Sequence, residues 1–234
     1  MSRLAAPLRM LGWLGALALV VLLAIQLWFL GWVTFWTWQN PQRTAFMARE
    51  LVRLRAADPR ATLQHQWVSY DRIAPALKRA VIAAEDARFL AHDGVDWEAL
   101  GKAYDDNQKR GRIVHGGSTI SQQLAKNLLL SPQRSLPRKA QELLITWMIE
   151  ALWSKRRILE VYLNVAEWGV GVFGAEAAAR HYYGIPAAQL GPEASARLAA
   201  MLPRPRYFDR NRGVPFLDER ADSILRTAPQ VVIP

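Results

Sequence analysis

The sequence predicts an all-α, mainly helical domain behind a single N-terminal transmembrane helix. Three observations lead there. Met10 to Gln42 contains no Asp, Glu, Lys or Arg and is almost continuously apolar, longer than the roughly 20 residues one helix needs to cross the hydrocarbon core. Downstream, apolar residues recur at helical rather than alternating spacing. Most of these stretches are bracketed by helix starters (Ser, Thr, Asp, Pro) and stoppers (Gly, Pro).

The expected span is residues 10–38, with residues 1–9 as a cytoplasmic N-terminus and residues 43–234 as one domain. Gln26 is the main polar interruption. Trp28, Trp32, Trp36 and Trp38 gather at the far end, as in an interfacial aromatic belt. Asn40-Pro41 stops the helix. A cleaved signal peptide would have a shorter apolar core, about 7–15 residues, and a small-residue cleavage site. Arg3 and Arg9 favour a cytoplasmic N-terminus, although Arg43, Arg49 and Arg53 follow the span and weaken the asymmetry.

Thr44 to Ala57 reads as a juxtamembrane helix and Leu63 to Ser69 as a short extended piece. Pro75 opens a helix through Glu85, with Leu77, Val81 and Ala84 at helical spacing. Asp96 caps a helix toward Arg110 that Gly111 ends. After Gly116-Gly117, Ser118 or Thr119 caps a helix to Leu130, and Thr119-x-x-Gln122 fits a capping box. Pro137 suits the first turn of a helix to Trp153, with Ala140, Leu143, Leu144, Trp147, Met148 and Ala151 as its apolar side. Ser154 caps the next, to Leu163. Helices follow at Gly174–Tyr183, Pro192–Leu202 and Phe216–Arg226. Strand patterns are nearly absent.

The chain has no Cys, which excludes a disulfide framework and thiolate metal sites. Its four His have no zinc-binding spacing. The net charge of +10 is uneven: residues 102–157 hold 11 Lys/Arg against 4 Asp/Glu, while residues 158–234 are balanced at 8 and 8. A central basic stretch suits a phosphorylated substrate, an anionic membrane surface or nucleic acid. It lacks the aromatic interleaving of a nucleic-acid binder and lies behind the membrane span, so nucleic acid is not expected as a partner.

Four motifs could carry chemistry. The first is Glu85-Asp86-x-x-Phe89-x-x-His92-x-Gly94. Two acids follow an apolar helix, and burial and a neighbouring negative charge both raise a carboxyl pKa, which makes a usable general base. The plainer reading is a helix end with two solvated acids. The second is Gly116-Gly117-Ser118-Thr119-Ile120-Ser121-Gln122-Gln123-Leu124-Ala125-Lys126-Asn127, a glycine turn entering a helix whose free N–H groups can face an anion. It is not a P-loop. The third is Arg134-Ser135-x-Pro137-Arg138-Lys139-x-x-Glu142, in which Arg138 and Glu142 share a helix face. Such cations could grip a diphosphate. As a surface ion pair they would contribute less than about 1 kcal/mol. The fourth, Lys155-x-x-Ile158-Leu159-Glu160-x-Tyr162-Leu163-Asn164, reads mainly as packing.

In this order the blocks resemble those of the peptidoglycan glycosyltransferases of family 51, over about Val81 to Gly184. Ser121 departs from the family's usual Thr but keeps the hydroxyl. The resemblance implies a lysozyme-like α-helical fold with a membrane-dipping subdomain, and a monofunctional biosynthetic enzyme of the inner membrane. Such an enzyme polymerises lipid II outside the cytoplasmic membrane, using the lipid-linked nascent strand as donor. By position, Glu85 matches the acid that deprotonates the acceptor 4-hydroxyl, and Glu142 the second essential acid. Lys126, Arg134, Arg138 and Lys139 match the pyrophosphate-binding residues. Ser118, Thr119, Gln122, Gln123, Asp86 and His92 complete the expected substrate-binding set. His92 also reads as a structural hydrogen-bonder near Glu85. No metal ligand set is expected, though a divalent cation (Mg or Mn) could assist at the pyrophosphate. Cell-wall synthesis or division proteins are the implied neighbours. A lysozyme-type hydrolase would also use a Glu in a helical fold but would not need the clustered cations. A non-catalytic scaffold would not need both Glu85 and Glu142.

Overall fold

The computed structural model describes residues 5–111, 117–133 and 135–234. Arg134, one of the expected cations, lies outside the described residues, as do residues 112–116. The chain forms α1 (Ala5–Phe35), α2 (Ala45–Arg55), β1 (Gln64–His65), α3 (Pro75–Glu85), α4 (Trp97–Arg110), α5 (Ile120–Leu129) and α6 (Leu136–Leu152). It continues with α7 (Lys155–Val165), β2 (Glu167–Gly169), β3 (Val172–Phe173), α8 (Ala175–Tyr183), α9 (Pro192–Met201), α10 (Pro205–Arg210) and α11 (Pro215–Thr227).

Local chemistry explains most boundaries. Thr44, Asp96, Thr119, Ser135 and Ser154 each accept a backbone N–H into the first turn of α2, α4, α5, α6 and α7, satisfying donors that the helix leaves orphaned. Thr119, not Ser118, is the cap of α5, and the capping box with Gln122 is complete. Gly111 and Gly184 end α4 and α8 in the left-handed region.

Helix α1 starts before Met10, at Ala5, and ends at Phe35; the stretch apolar enough to cross a membrane is Gly12–Phe35, 24 residues. It is not free of the domain. The Gln26 and Gln141 amides pair reciprocally at 2.9 and 3.0 Å. Trp153 Nε1 donates to the Val33 carbonyl at 2.9 Å, and Arg157 donates to the carbonyls of Trp36 and Gln39.

The core lies where α5 packs on α6 and α7, and where α3 packs on α9 and α11. Leu77, Val81, Ile120, Leu124, Ile145 and Ile158 are among its fully buried members. The expected apolar side of α6 lies mostly outside the core, with Leu143 and Met148 half-buried. Ala140, Leu144, Trp147 and Ala151 are exposed, and the buried face is Glu142, Ile145, Thr146 and Ile149. The helix is apolar on both sides because one side joins the core and the other runs on the side of the fold that carries α1.

Two elements were not foreseen. A small sheet of order β1-β3-β2 pairs β1 with β3 in parallel and β2 with β3 antiparallel. Its strands are too short to show alternation, although β1 falls within the expected extended piece. The short helix α10 was also missed.

Candidate active site

Helix α3 ends at Glu85, and the loop after it folds back under its own hydrogen bonds. Asp86 Oδ2 accepts the Ile120 N–H at 3.0 Å, joining the end of α3 to the start of α5. Its Oδ1 lies 2.9 Å from His92 Nε2. His92 Nδ1 accepts the Gly94 N–H at 3.2 Å, so Nε2 carries the proton and donates to Asp86. Gly94 closes the loop with φ +92°, and a Cβ there would sit 2.7 Å from Thr146 Cγ2, so only glycine suits this close pass.

These bonds set Glu85 in a half-enclosed position. Its side chain is 9% exposed. Oε2 accepts from Gln123 Nε2 at 2.8 Å. Oε1 is buried without a hydrogen-bond partner, and Arg220 Nη2 of α11 stands 3.6 Å from it. Burial holds this carboxyl above the ordinary carboxylate range. The Gln123 N–H and the Arg220 and Lys126 charges pull it back, and Asp86 adds to the rise. Glu85 borders a cleft of about 330 Å³ whose walls include Arg88, Glu98, Lys102 and Ser118.

Ser118 is also a wall of a second cleft, of about 690 Å³, lined by Phe46, Gln123, Lys126, Arg138, Lys139 and Glu142. Here Glu142 is buried and bound on both oxygens, by Arg138 Nη1 at 2.5 Å and by Lys139 Nζ. Arg138 Nε is buried without a partner. Burial pushes the Lys126 ammonium below the ordinary lysine value. Glu142 opposes this, Arg138 and Lys139 add to it, and Glu85 opposes it. Lys126 lines the second cleft and lies within electrostatic reach of both carboxylates.

The structure thus brings Glu85, Gln123, Ser118, Lys126, Arg138, Lys139 and Glu142 around two adjoining clefts. Asp86 and Thr119 also line the first cleft and Gln122 the second, although their described hydrogen bonds run into the fold, and His92 stands one step back. Thr119 Oγ1 donates to the Gly94 carbonyl at 2.6 Å while capping α5, and Gln122 closes the capping box. Asp86, His92 and Asp96 converge closely enough to face one ion. However, Asp86 and His92 satisfy each other, and Asp96 caps α4 and pairs with Arg88 at 3.6 Å. Glu142 is likewise bound on both oxygens. Neither donor set suits a resident metal.

The sequence reading missed several contributors. Tyr162 of α7 donates to Gln123 Oε1 at 3.0 Å. Arg220 reaches Glu85 from α11. Ser121 donates to Glu150, which also holds Lys155, and Lys155 Nζ donates to the His92 carbonyl. The motif signal for Tyr162 and Lys155 was present but read as packing.

A family model described as transglycosylase matches residues 53–228. Several relatives carry the name biosynthetic peptidoglycan transglycosylase. The one from Dechloromonas aromatica (strain RCB) is 61% identical over 209 residues, covering 89% of this chain and 90% of the relative. That from Laribacter hongkongensis (strain HLHK9) is 54% identical over 228 residues, 96% of this chain and 100% of the relative. That from Janthinobacterium sp. (strain Marseille) is 52% identical over 226 residues, 97% and 98% of the two chains. The chain belongs to the transglycosylase family, the biosynthetic peptidoglycan glycosyltransferases that its motif blocks resemble.

Proposed function

We propose that this chain polymerises lipid II into glycan strands by inverting β-1,4 transglycosylation, releasing undecaprenyl diphosphate. One observation carries the reading: a largely buried carboxylate, one oxygen of which has no hydrogen-bond partner, borders one cleft, and a cluster of cations lines the cleft beside it. Lipid II occupies the Glu85 cleft as acceptor, and the lipid-linked strand places its diphosphate among Lys126, Arg138 and Lys139. Glu85 takes the proton of the acceptor 4-hydroxyl. The hydroxyl oxygen attacks the donor anomeric carbon, the bond from that carbon to the diphosphate oxygen breaks, and the electron pair leaves with the diphosphate. Charge grows on the leaving group as the bond breaks, so fixed cations stabilise the transition state more than the ground state. Glu142 keeps Arg138 and Lys139 aimed across the cleft. A magnesium or manganese ion would enter with the diphosphate rather than reside in the protein.

The membrane setting supports the same reading, because a lipid-linked substrate must be met at the bilayer surface. Helix α1 anchors the chain with its N-terminus in the cytoplasm and the domain on the periplasmic side of the inner membrane. The exposed apolar side of α6 (Leu144, Trp147) and Leu136 dip into the bilayer beside α1, setting the cationic cleft near the headgroups. Full-length protein in detergent given labelled lipid II should yield lysozyme-sensitive polymer and one undecaprenyl diphosphate per bond formed. Absence of polymer, or cleavage of preformed glycan instead, would overturn the proposal.

A further inference from the structure

The two oxygens of Glu85 are unequal, and the cause lies behind the site. Oε2 is engaged by the Gln123 amide, whose own oxygen accepts the phenol of Tyr162. Oε1 is buried, unpartnered and opposed by Arg220. A primary amide can present either N–H or C=O. Were Gln123 turned over, its carbonyl would face a carboxylate. The Tyr162 proton, on a side chain 1% exposed, would also lose its acceptor, Gln123 Oε1 being the one it has among the described residues. A buried donor left unpaired is costly.

We propose that Tyr162 and Arg220 are positioning residues for the base. Tyr162 latches the Gln123 amide so that its N–H holds Oε2, and Arg220 faces Oε1, so that the two together hold the carboxylate in place and ionised. This rests on Glu85 being the base. The latch favours the ionised carboxylate, since an N–H donor stabilises the charged form. The turned amide would favour the protonated acid, which could donate to the carbonyl. Tyr162 thus biases Glu85 toward the state that can accept a proton.

The charged or titratable groups facing Glu85 among the described residues are Asp86 at its own helix end, Lys126 on α5, Tyr162 on α7 and Arg220 on α11. Helix α9 also packs on α3, but its Glu193 and Arg197 face a different cleft, beside Tyr183 and Asp218. The turn at Ala228–Gln230, the other neighbour of α3, has no titratable side chain.

The test is the pH–rate profile of lipid II polymerisation by the full chain. Tyr162→Phe removes one oxygen and keeps the ring in the core. It should move the acid limb to higher pH and lower kcat by about tenfold near that limb, the worth of roughly one hydrogen bond. At higher pH the loss should shrink, with KM unchanged throughout. Arg220→Gln should move the limb the same way, and Arg220→Lys, which keeps the cation, should restore it. If Tyr162→Phe fails to fold, Gln123→Met reads the same contact. An unmoved limb with a rate loss independent of pH would reduce Tyr162 to packing and overturn the latch. Glu85→Gln, run in parallel, separates the two ideas. If it polymerises normally, the assignment of the base fails; if it is inactive while the Tyr162→Phe limb stays in place, only the latch fails.

Discussion

Replacing Arg138 by Ala separates two roles that the cationic cleft combines. Arg138 is 16% exposed and its Nη1 lies 2.5 Å from Glu142, whose side chain is 4% exposed. Breaking a fully buried ion pair costs about 3–5 kcal/mol because it strands a charge. Here Lys139 still binds the other oxygen, so the loss is closer to one charge-assisted hydrogen bond, about 1.5–3 kcal/mol. The effect on catalysis has a separate origin. Removing one fixed donor aimed at developing charge typically lowers kcat by about 10²–10³. Arg138→Lys should fall between wild type and Ala, since it keeps the charge but not the planar fork. Initial rates on lipid II and thermal unfolding of the full chain in detergent measure the two effects independently. A lowered Tm with unchanged kcat and KM would refute the diphosphate clamp and leave Arg138 as a structural partner of Glu142.

Three further outcomes follow from the same geometry. The profile of kcat/KM should be bell-shaped, with an acid limb above the ordinary carboxylate range because burial raises Glu85, and a basic limb below ordinary lysine because burial lowers Lys126; limbs at the ordinary values would place neither group in the reaction. The raised Glu85 pKa means the folded chain binds that proton more tightly than the unfolded one. Its stabilising share is complete below the unfolded value and lost as pH rises through the folded value. Glu85→Gln should accordingly raise stability near neutral pH, on the order of 1 kcal/mol or roughly 2–4 °C in Tm, with the gain vanishing in acid; equal gains at both pH values would contradict the burial argument. Gly94→Ala should destabilise by about 1–3 kcal/mol, because it combines a positive φ with a Cβ 2.7 Å from Thr146; an unchanged Tm would show that the loop tolerates a side chain.

Local signals made much of this fold legible. Caps, glycine stops and prolines act within one turn, so Thr119-x-x-Gln122 and Asp96 could be read directly. The long apolar helix α1 announced itself by length and lack of charge. Helix α6 was misjudged because its core face contains Glu142 and Thr146, so the more apolar side pointed the wrong way. Polar residues on that face make sense once Glu142 is seen gathering Arg138 and Lys139. The site was legible where motif residues line the two clefts. It was not legible where partners come from afar: Arg220 meets Glu85 across the fold, and no periodicity or spacing marks such a pairing. Gln26 shows the same limit. It looked like a tolerated amide in a membrane helix, and it is paired with Gln141.

The central claim is that Glu85 accepts the acceptor proton while the neighbouring cations hold the leaving diphosphate. The most direct test is Glu85→Gln in the full chain, with lipid II binding and polymerisation measured on the same preparation. The account predicts retained binding and a rate lower by about 10²–10⁴, the usual contribution of a general base. Normal polymerisation by that variant would contradict it.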